Sequence, residues 1–214
     1  MKILVTGFDP FGGSKINPAY EAVKLLPDEI EGAAIVKIEI PTVFGKDGIA
    51  LKSAIDEHKP DVVLCVGQAG GRSGITVEKV AINLMEARIP DNEGNQPLDT
   101  SIKEDGETAY FASVPVKHMT QYMQEKGIPA RVSYTAGTYV CNDIMYRLLY
   151  MIDKEYPGMR GGFVHVPYLP EQTVSLPDGT PSMSSEMIAQ ALMCGIKAVI
   201  ENKDDAKIVG GEIQ

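Results

Sequence analysis

Asp56-Glu57-His58-Lys59-Pro60-Asp61-Val62-Val63-Leu64-Cys65-Val66-Gly67-Gln68 ends one helical pattern and starts a strand. Pro60 cannot extend the helix written over Gly48 to His58, because it lacks an N–H and pushes the preceding residue out of helical geometry. The apolar, β-branched run that follows stops at Gly67, where a loop rich in glycine begins.

The same alternation recurs outward in both directions. Strands are expected over Lys2 to Thr6, Ala34 to Ile40, Asp61 to Val66, Lys79 to Leu84, Arg131 to Thr135 and Gly162 to Val166. Helical patterns lie between most of them. Asn17 and Pro18 read as N-cap and first helical position, with Tyr20, Val23 and Leu26 at helical spacing before Pro27. A further helix runs from near Pro115 to Gly127, a suitable C-cap. Another opens at Cys141, with Ile144, Met145, Leu148, Leu149 and Ile152 on one face, and the last follows Ser184 and Ser185. Strands alternating with helices predict an α/β fold: a mostly parallel twisted sheet with helices on both faces, a three-layer α/β/α sandwich. Nothing in 214 residues demands a second core, so residues 1–214 are read as a single domain.

Composition narrows the function. Charged residues are 23% and hydrophobic ones 44%, ordinary globular values that argue against a disordered chain. The 20 basic and 29 acidic residues leave a net charge of −9 with no basic run, which disfavours nucleic acid as a partner. No apolar stretch approaches the roughly 18 residues that cross a bilayer, and Ile3-Leu4-Val5 follows Met1 too closely for an export signal, so a soluble cytoplasmic protein with no membrane partner is expected. Cys65, Cys141 and Cys194 are odd in number and widely spaced, as free thiols in a reducing compartment would be.

In open α/β sheets, ligands bind beyond the carboxyl ends of strands. Phe8 and Phe11 lie in the loop after the first strand. Cys141 opens a helix whose N-terminus would stabilise a thiolate and later an oxyanion. Cys65 and Cys194 read as core residues. A thiol nucleophile needs a base. His58 and His118 fall in polar helical surroundings, whereas His165 ends a strand just before Pro167. Glu78, in an otherwise apolar segment, is either an exposed strand residue paired with Lys79 or the group that orients the imidazole. The extended turn chemistry from Arg88 to Thr108 predicts a long loop able to wall a site. The glycines Gly12-Gly13 and Gly67 to Gly74, with Arg72, would also suit a phosphate cradle, and a module that only binds is a third reading.

Two segments are more specific. Ile75-Thr76-Val77-Glu78-Lys79-Val80-Ala81-Ile82-Asn83 and Arg131-Val132-Ser133-Tyr134-Thr135-Ala136-Gly137-Thr138-Tyr139-Val140-Cys141-Asn142 resemble the two active-site signatures of the pyroglutamyl peptidase I family. Thr6 to Gly13, Arg88 to Gly94 and His165-Val166-Pro167 resemble the same family in the same order. The resemblance implies a Cys-His-Glu triad at Cys141, His165 and Glu78, acting on peptides with an N-terminal pyroglutamate without metal or organic cofactor. It further implies a lactam pocket of Phe8, Phe11, Ile89, Tyr139 and Val140, an oxyanion site from Arg88 and the Cys141 N–H, and a homotetramer. Tyr139 stands where many members carry phenylalanine, so its hydroxyl needs a partner.

Overall fold

A computed structural model describes residues 1–211. In chain order the elements are β1 (Lys2–Phe8), α1 (Pro18–Lys24), β2 (Glu29–Ile30), β3 (Ala33–Ile40), α2 (Lys46–His58), β4 (Val62–Gln68), β5 (Ile75–Glu78), β6 (Val80–Ile82), β7 (Ala109–Phe111), α3 (Val116–Glu125), β8 (Ala130–Ser133), α4 (Val140–Lys154), β9 (Arg160–Val166), α5 (Pro170–Thr173) and α6 (Ser185–Glu201).

Seven strands form the main sheet in the order β2-β3-β1-β4-β9-β5-β8. The central β1, β3, β4 and β9 run parallel, as the α/β pattern requires. One flank is reversed: β5 pairs antiparallel with β9, and β8 runs parallel to β5. The short β2 also pairs antiparallel with β3. Strands β1, β4 and β9 are buried almost throughout, because helices cover both faces.

Glycines identify those faces. A Cβ on Gly7 would strike the backbone of Tyr20 in α1, while one on Gly67 would strike Cys141 in α4 and one on Gly161 would strike Ile152 and Leu148 in the same helix. Gly7 pairs with Val66, next to Gly67 in β4, so the two glycines look to opposite sides of the sheet. Helices α1, α3 and α6 pack together on the first side; α2 and α4 pack together on the second.

The expected strand from Lys79 to Leu84 is replaced by two elements. Ile75–Glu78 joins the main sheet, whereas Val80–Ile82 pairs with Ala109–Phe111 in a separate ribbon. The change of partner occurs at Lys79, whose N–H donates to Ser133 O at 2.7 Å and whose carbonyl accepts from Ala112 N–H. No glycine or proline marks that break, so the strand expected over Lys79 to Leu84 begins too late to include Ile75–Glu78 and runs two residues past Ile82. The other five expected strands lie within two residues of expectation, and the short β2 and β7 were not expected. Cys65 is fully buried and Cys194 is partly buried against the core.

Candidate active site

Register brings the site together. Across the parallel β4/β9 pair, Gly67 faces His165, and across the antiparallel β9/β5 pair, His165 faces Thr76. Side chains alternate along a strand, so Gly67, His165, Thr76 and Glu78 share one face of the sheet. Helix α4 delivers Cys141 onto that same face: its Sγ lies 2.8 Å from where a Gly67 Cβ would be. The thiol therefore sits above the β4/β9 junction, in the space that Gly67 leaves open.

His165 is 4% exposed and Glu78 is fully buried. Their side chains meet at 2.7 Å, His165 Nδ1 to Glu78 Oε1. Arg72 Nη1 donates to the same carboxylate oxygen at 2.6 Å and also bonds Thr76 Oγ1, while its Nη2 donates to Thr135 O at 3.1 Å. Burial pushes the Glu78 carboxyl up, but the hydrogen bonds from His165 and Ser133 and the charge of Arg72 outweigh it and hold Glu78 below its ordinary range. An ionised Glu78 fixes the tautomer: Nδ1 carries the proton and donates, leaving Nε2 free to accept one. Burial drives His165 below the usual imidazole value, against the opposing pull of Glu78, so the ring is neutral at neutral pH. Phe163 packs edge-on against it, with ring centroids 4.7 Å apart.

The helix N-terminus was expected to ionise Cys141. Burial instead pushes the thiol up to about 12, with Glu78 adding to the rise and Arg72 opposing it. The substrate-free pair therefore rests as thiol and imidazole. Helix α4 begins at Val140, one residue before the expected start, with no side-chain cap from Tyr139. Asn142 and Asp143 N–H groups donate to Tyr139 O, whereas the Cys141 N–H finds no acceptor among the described residues. Helices α1 and α6, by contrast, are capped by the side chains of Asn17 and Ser184. A free N–H beside a thiol is the arrangement an oxyanion requires.

The residues implied for a lactam pocket separate into two groups. Phe11 and Ile89 line a cleft of about 630 Å³ together with Gln68, Tyr168 and Gln172. Tyr139 borders Phe11 at 6.2 Å and Phe44 at 5.3 Å between ring centroids. Phe8 and Val140 are buried in the core beneath them. The Tyr139 hydroxyl donates to Pro90 O at 3.0 Å, which supplies the partner its presence demands. Arg88 is exposed on the adjoining loop. That loop is pinned by Asp91, whose carboxylate accepts from the N–H groups of Phe44, Glu93 and Asn95 at 3.0, 2.9 and 2.8 Å.

His58 and His118 stay apart from this constellation: His58 lies beside Glu57 at the end of α2, and His118 meets Tyr122 edge-on in α3. Arg72 is the residue whose place the sequence misjudged. As a phosphate cradle it would face a ligand, but its guanidinium is spent on Glu78, Thr76 and Thr135. An arginine six residues before a glutamate in an otherwise apolar segment was the available signal.

Known proteins match over nearly the full length. The sequence profile of the pyroglutamyl peptidase family matches residues 1–202. The pyrrolidone-carboxylate peptidase of Clostridium perfringens is 57% identical over 213 residues, covering 100% of both chains. That of Enterococcus faecalis is 58% identical over 211 residues, covering 99% of both. The crystal structure of pyroglutamyl peptidase I from Bacillus amyloliquefaciens superposes with a TM-score of 0.94 at 49% identity, over 97% of this chain and 99% of that one. A mutant pyrrolidone carboxyl peptidase from Pyrococcus furiosus gives 0.90 at 42% identity, over 94% and 99%. The buried Glu78–His165 pair and the thiol lodged over Gly67 thus stand within a full-length family likeness, and the chain belongs to the pyroglutamyl peptidase family.

Proposed function

We propose that Cys141 is the nucleophile, His165 its general base and acid, and Glu78 the group that orients His165, in hydrolysis of the bond after an N-terminal pyroglutamyl residue. The observation that carries this assignment is the shared face on which Gly67, His165 and Glu78 stand, with the Cys141 thiol directly above it.

His165 Nε2 takes the proton of Cys141 as sulfur attacks the pyroglutamyl carbonyl carbon. The oxygen that gains charge is held by the free Cys141 N–H at the start of α4, where the helix field is positive, and by Arg88. Protonated His165 then gives its proton to the departing amine, and the C–N bond breaks to leave a pyroglutamyl thioester. Water, losing its proton to His165, hydrolyses that thioester and restores the thiol. Glu78, held ionised by Arg72, stabilises the imidazolium in both steps.

Phe11, Ile89 and Tyr139 wall the lactam pocket, and Phe8 and Val140, buried in the core, support that wall instead of facing the ring. Pyroglutamate carries no ammonium and no side-chain carboxylate, so an apolar wall suits it. Uncyclised glutamine would bring one charge and glutamate two, each costing on the order of several kcal/mol to desolvate without a partner. Residues 1–214 act as one catalytic domain. The free cysteines fit a reducing cytoplasm, and exposed apolar side chains such as Phe111 and Leu98 offer surface for a homotetramer.

Release of a reporter amine from a pyroglutamyl conjugate tests the assignment, with the prolyl conjugate as control. Cys141→Ser should abolish turnover, and the wild type should leave the prolyl conjugate intact. Undiminished turnover by the serine variant would remove Cys141 from the mechanism; sedimentation of the native protein checks the tetramer.

A further inference from the structure

Behind Cys141 lies a second group of buried charges that the reaction does not use. Asp143, two residues beyond the nucleophile in α4, and Asp47, in the first turn of α2, are both completely buried. Asp143 accepts from Arg147 Nε at 3.0 and 2.9 Å through its two oxygens, and from the Gly45 N–H at 3.0 Å. Asp47 Oδ1 accepts from the Gly48 N–H. Asp47 Oδ2 is buried and meets no donor among the described residues, while the Gly45 N–H, two residues before Asp47, holds Asp143 Oδ2 at 3.0 Å and so brings the Asp143 carboxylate to the same first turn of α2, where it acts on Asp47.

Two carboxylates cannot share one dry site with a single cation: the second charge would be uncompensated, which is far costlier than holding a proton. We infer that Asp47 carries a proton at neutral pH and donates it from Oδ2 to Asp143, so that the pair holds one charge, balanced by Arg147, and leaves the ground behind Cys141 neutral. The inference rests on Cys141 being the nucleophile.

Space as well as charge fits this arrangement. A Cβ on Gly48 would lie 2.4 Å from Arg147 Cδ, so glycine is what admits the arginine stem against α2. Burial first and then the Asp143 carboxylate raise the affinity of Asp47 for its proton, and the Gly48 N–H and then Arg147 lower it. Cys141 on α4 and Cys65 on β4 in turn feel the charge of Asp47, which makes each thiol harder to ionise. While Asp47 is protonated that penalty is absent. When it ionises in alkali, Cys141 acquires a negative neighbour and its thiolate is disfavoured. Asp47 is thus a positioning residue: it ties α2 to the first turn of α4 and sets the electrostatic background of the thiol.

Infrared difference spectroscopy on the intact protein tests the shared proton. The wild type should show the C=O stretch of a buried carboxylic acid at neutral pH, and D47N and D143N should each lose it, because the proton belongs to the pair. Absence of that band in the wild type, or its survival in D143N, overturns the inference. Independently, alkylation of Cys141 by iodoacetamide, read by mass spectrometry on its own peptide, should follow the same pH profile in D47N as in wild type up to neutral pH. A profile displaced to lower pH in D47N would mean that Asp47 is ionised and overturns the inference. Neither readout needs turnover, so failure here is distinct from failure of the peptidase assignment.

Discussion

The Sγ of Cys141 occupies the position beside Gly67 that any other residue's Cβ would need, at 2.8 Å. Gly67 is not among the positive-φ glycines, so its backbone tolerates alanine and only space forbids it. Gly67→Ala must displace either the sulfur or the Phe163 ring, 2.7 Å from the same point. Misplacing a nucleophile by even about 1 Å costs roughly 10²-fold. The expected result is a kcat lowered by about that factor in a folded protein; a variant with full kcat would show that the thiol has room to spare.

Arg72→Met should act on the base through charge. Arg72 lowers the proton affinity of His165 and of Glu78, so without it both hold protons more tightly. The acid limb of kcat/KM, which requires neutral His165, then moves to higher pH. The loss at neutral pH should be roughly tenfold, short of the 10²–10⁴ that proton transfer itself contributes. An unmoved acid limb would reduce Arg72 to a strut.

Tyr139→Phe removes the hydrogen bond to Pro90 O. The cost should be about 1 kcal/mol in urea unfolding, since Pro90 is exposed and water can replace the donor. The Arg88 to Pro90 segment would be less firmly held, raising KM for a pyroglutamyl substrate a few-fold with little change in kcat. A drop in kcat alone would place the hydroxyl in the chemistry instead.

Asp47 also predicts a pH dependence of stability. Its native proton affinity is raised, chiefly by burial and then by Asp143. Between the ordinary carboxyl value and the raised one, the native state keeps a proton that the unfolded chain has released, so stability falls as pH rises, by at most about 1.4 kcal/mol per pH unit. Asp47→Asn removes this contribution. Its stability relative to wild type should therefore climb from acidic to neutral pH; parallel curves from urea unfolding would count against a protonated Asp47.

The helices and the four central strands were legible because their signals are local: Pro18 after Asn17, Pro60 after His58, and apolar runs ending at Gly67. The reversed flank was not. Strand direction is set by which neighbour a segment meets, and Ile75 to Glu78 carries no mark of running against Arg160 to Val166. The split at Lys79 was hidden for the same reason, since its hydrogen bonds go to Ser133 and Ala112, far away in sequence. Glu78 could be singled out as a charge in an apolar segment, but choosing between an exposed partner of Lys79 and a buried partner of His165 required the register of β5. The cysteine carried its own context, a helix start. Asp47 and Asp143 gave no warning at all, because acidic residues in first helical turns are commonplace and their meeting depends on how α2 and α4 pack.

The antiparallel rung that sets Thr76 opposite His165 gives the sheet an unexpected duty. Slipping β5 by a single residue would turn every one of its side chains over and carry Glu78 to the far side of the sheet. A chain that pairs this strand wrongly is then left with an unguided imidazole, whatever else has folded. Turnover therefore depends on the pairing of the sheet's reversed flank, and its recovery during refolding would report when β5 has found its register.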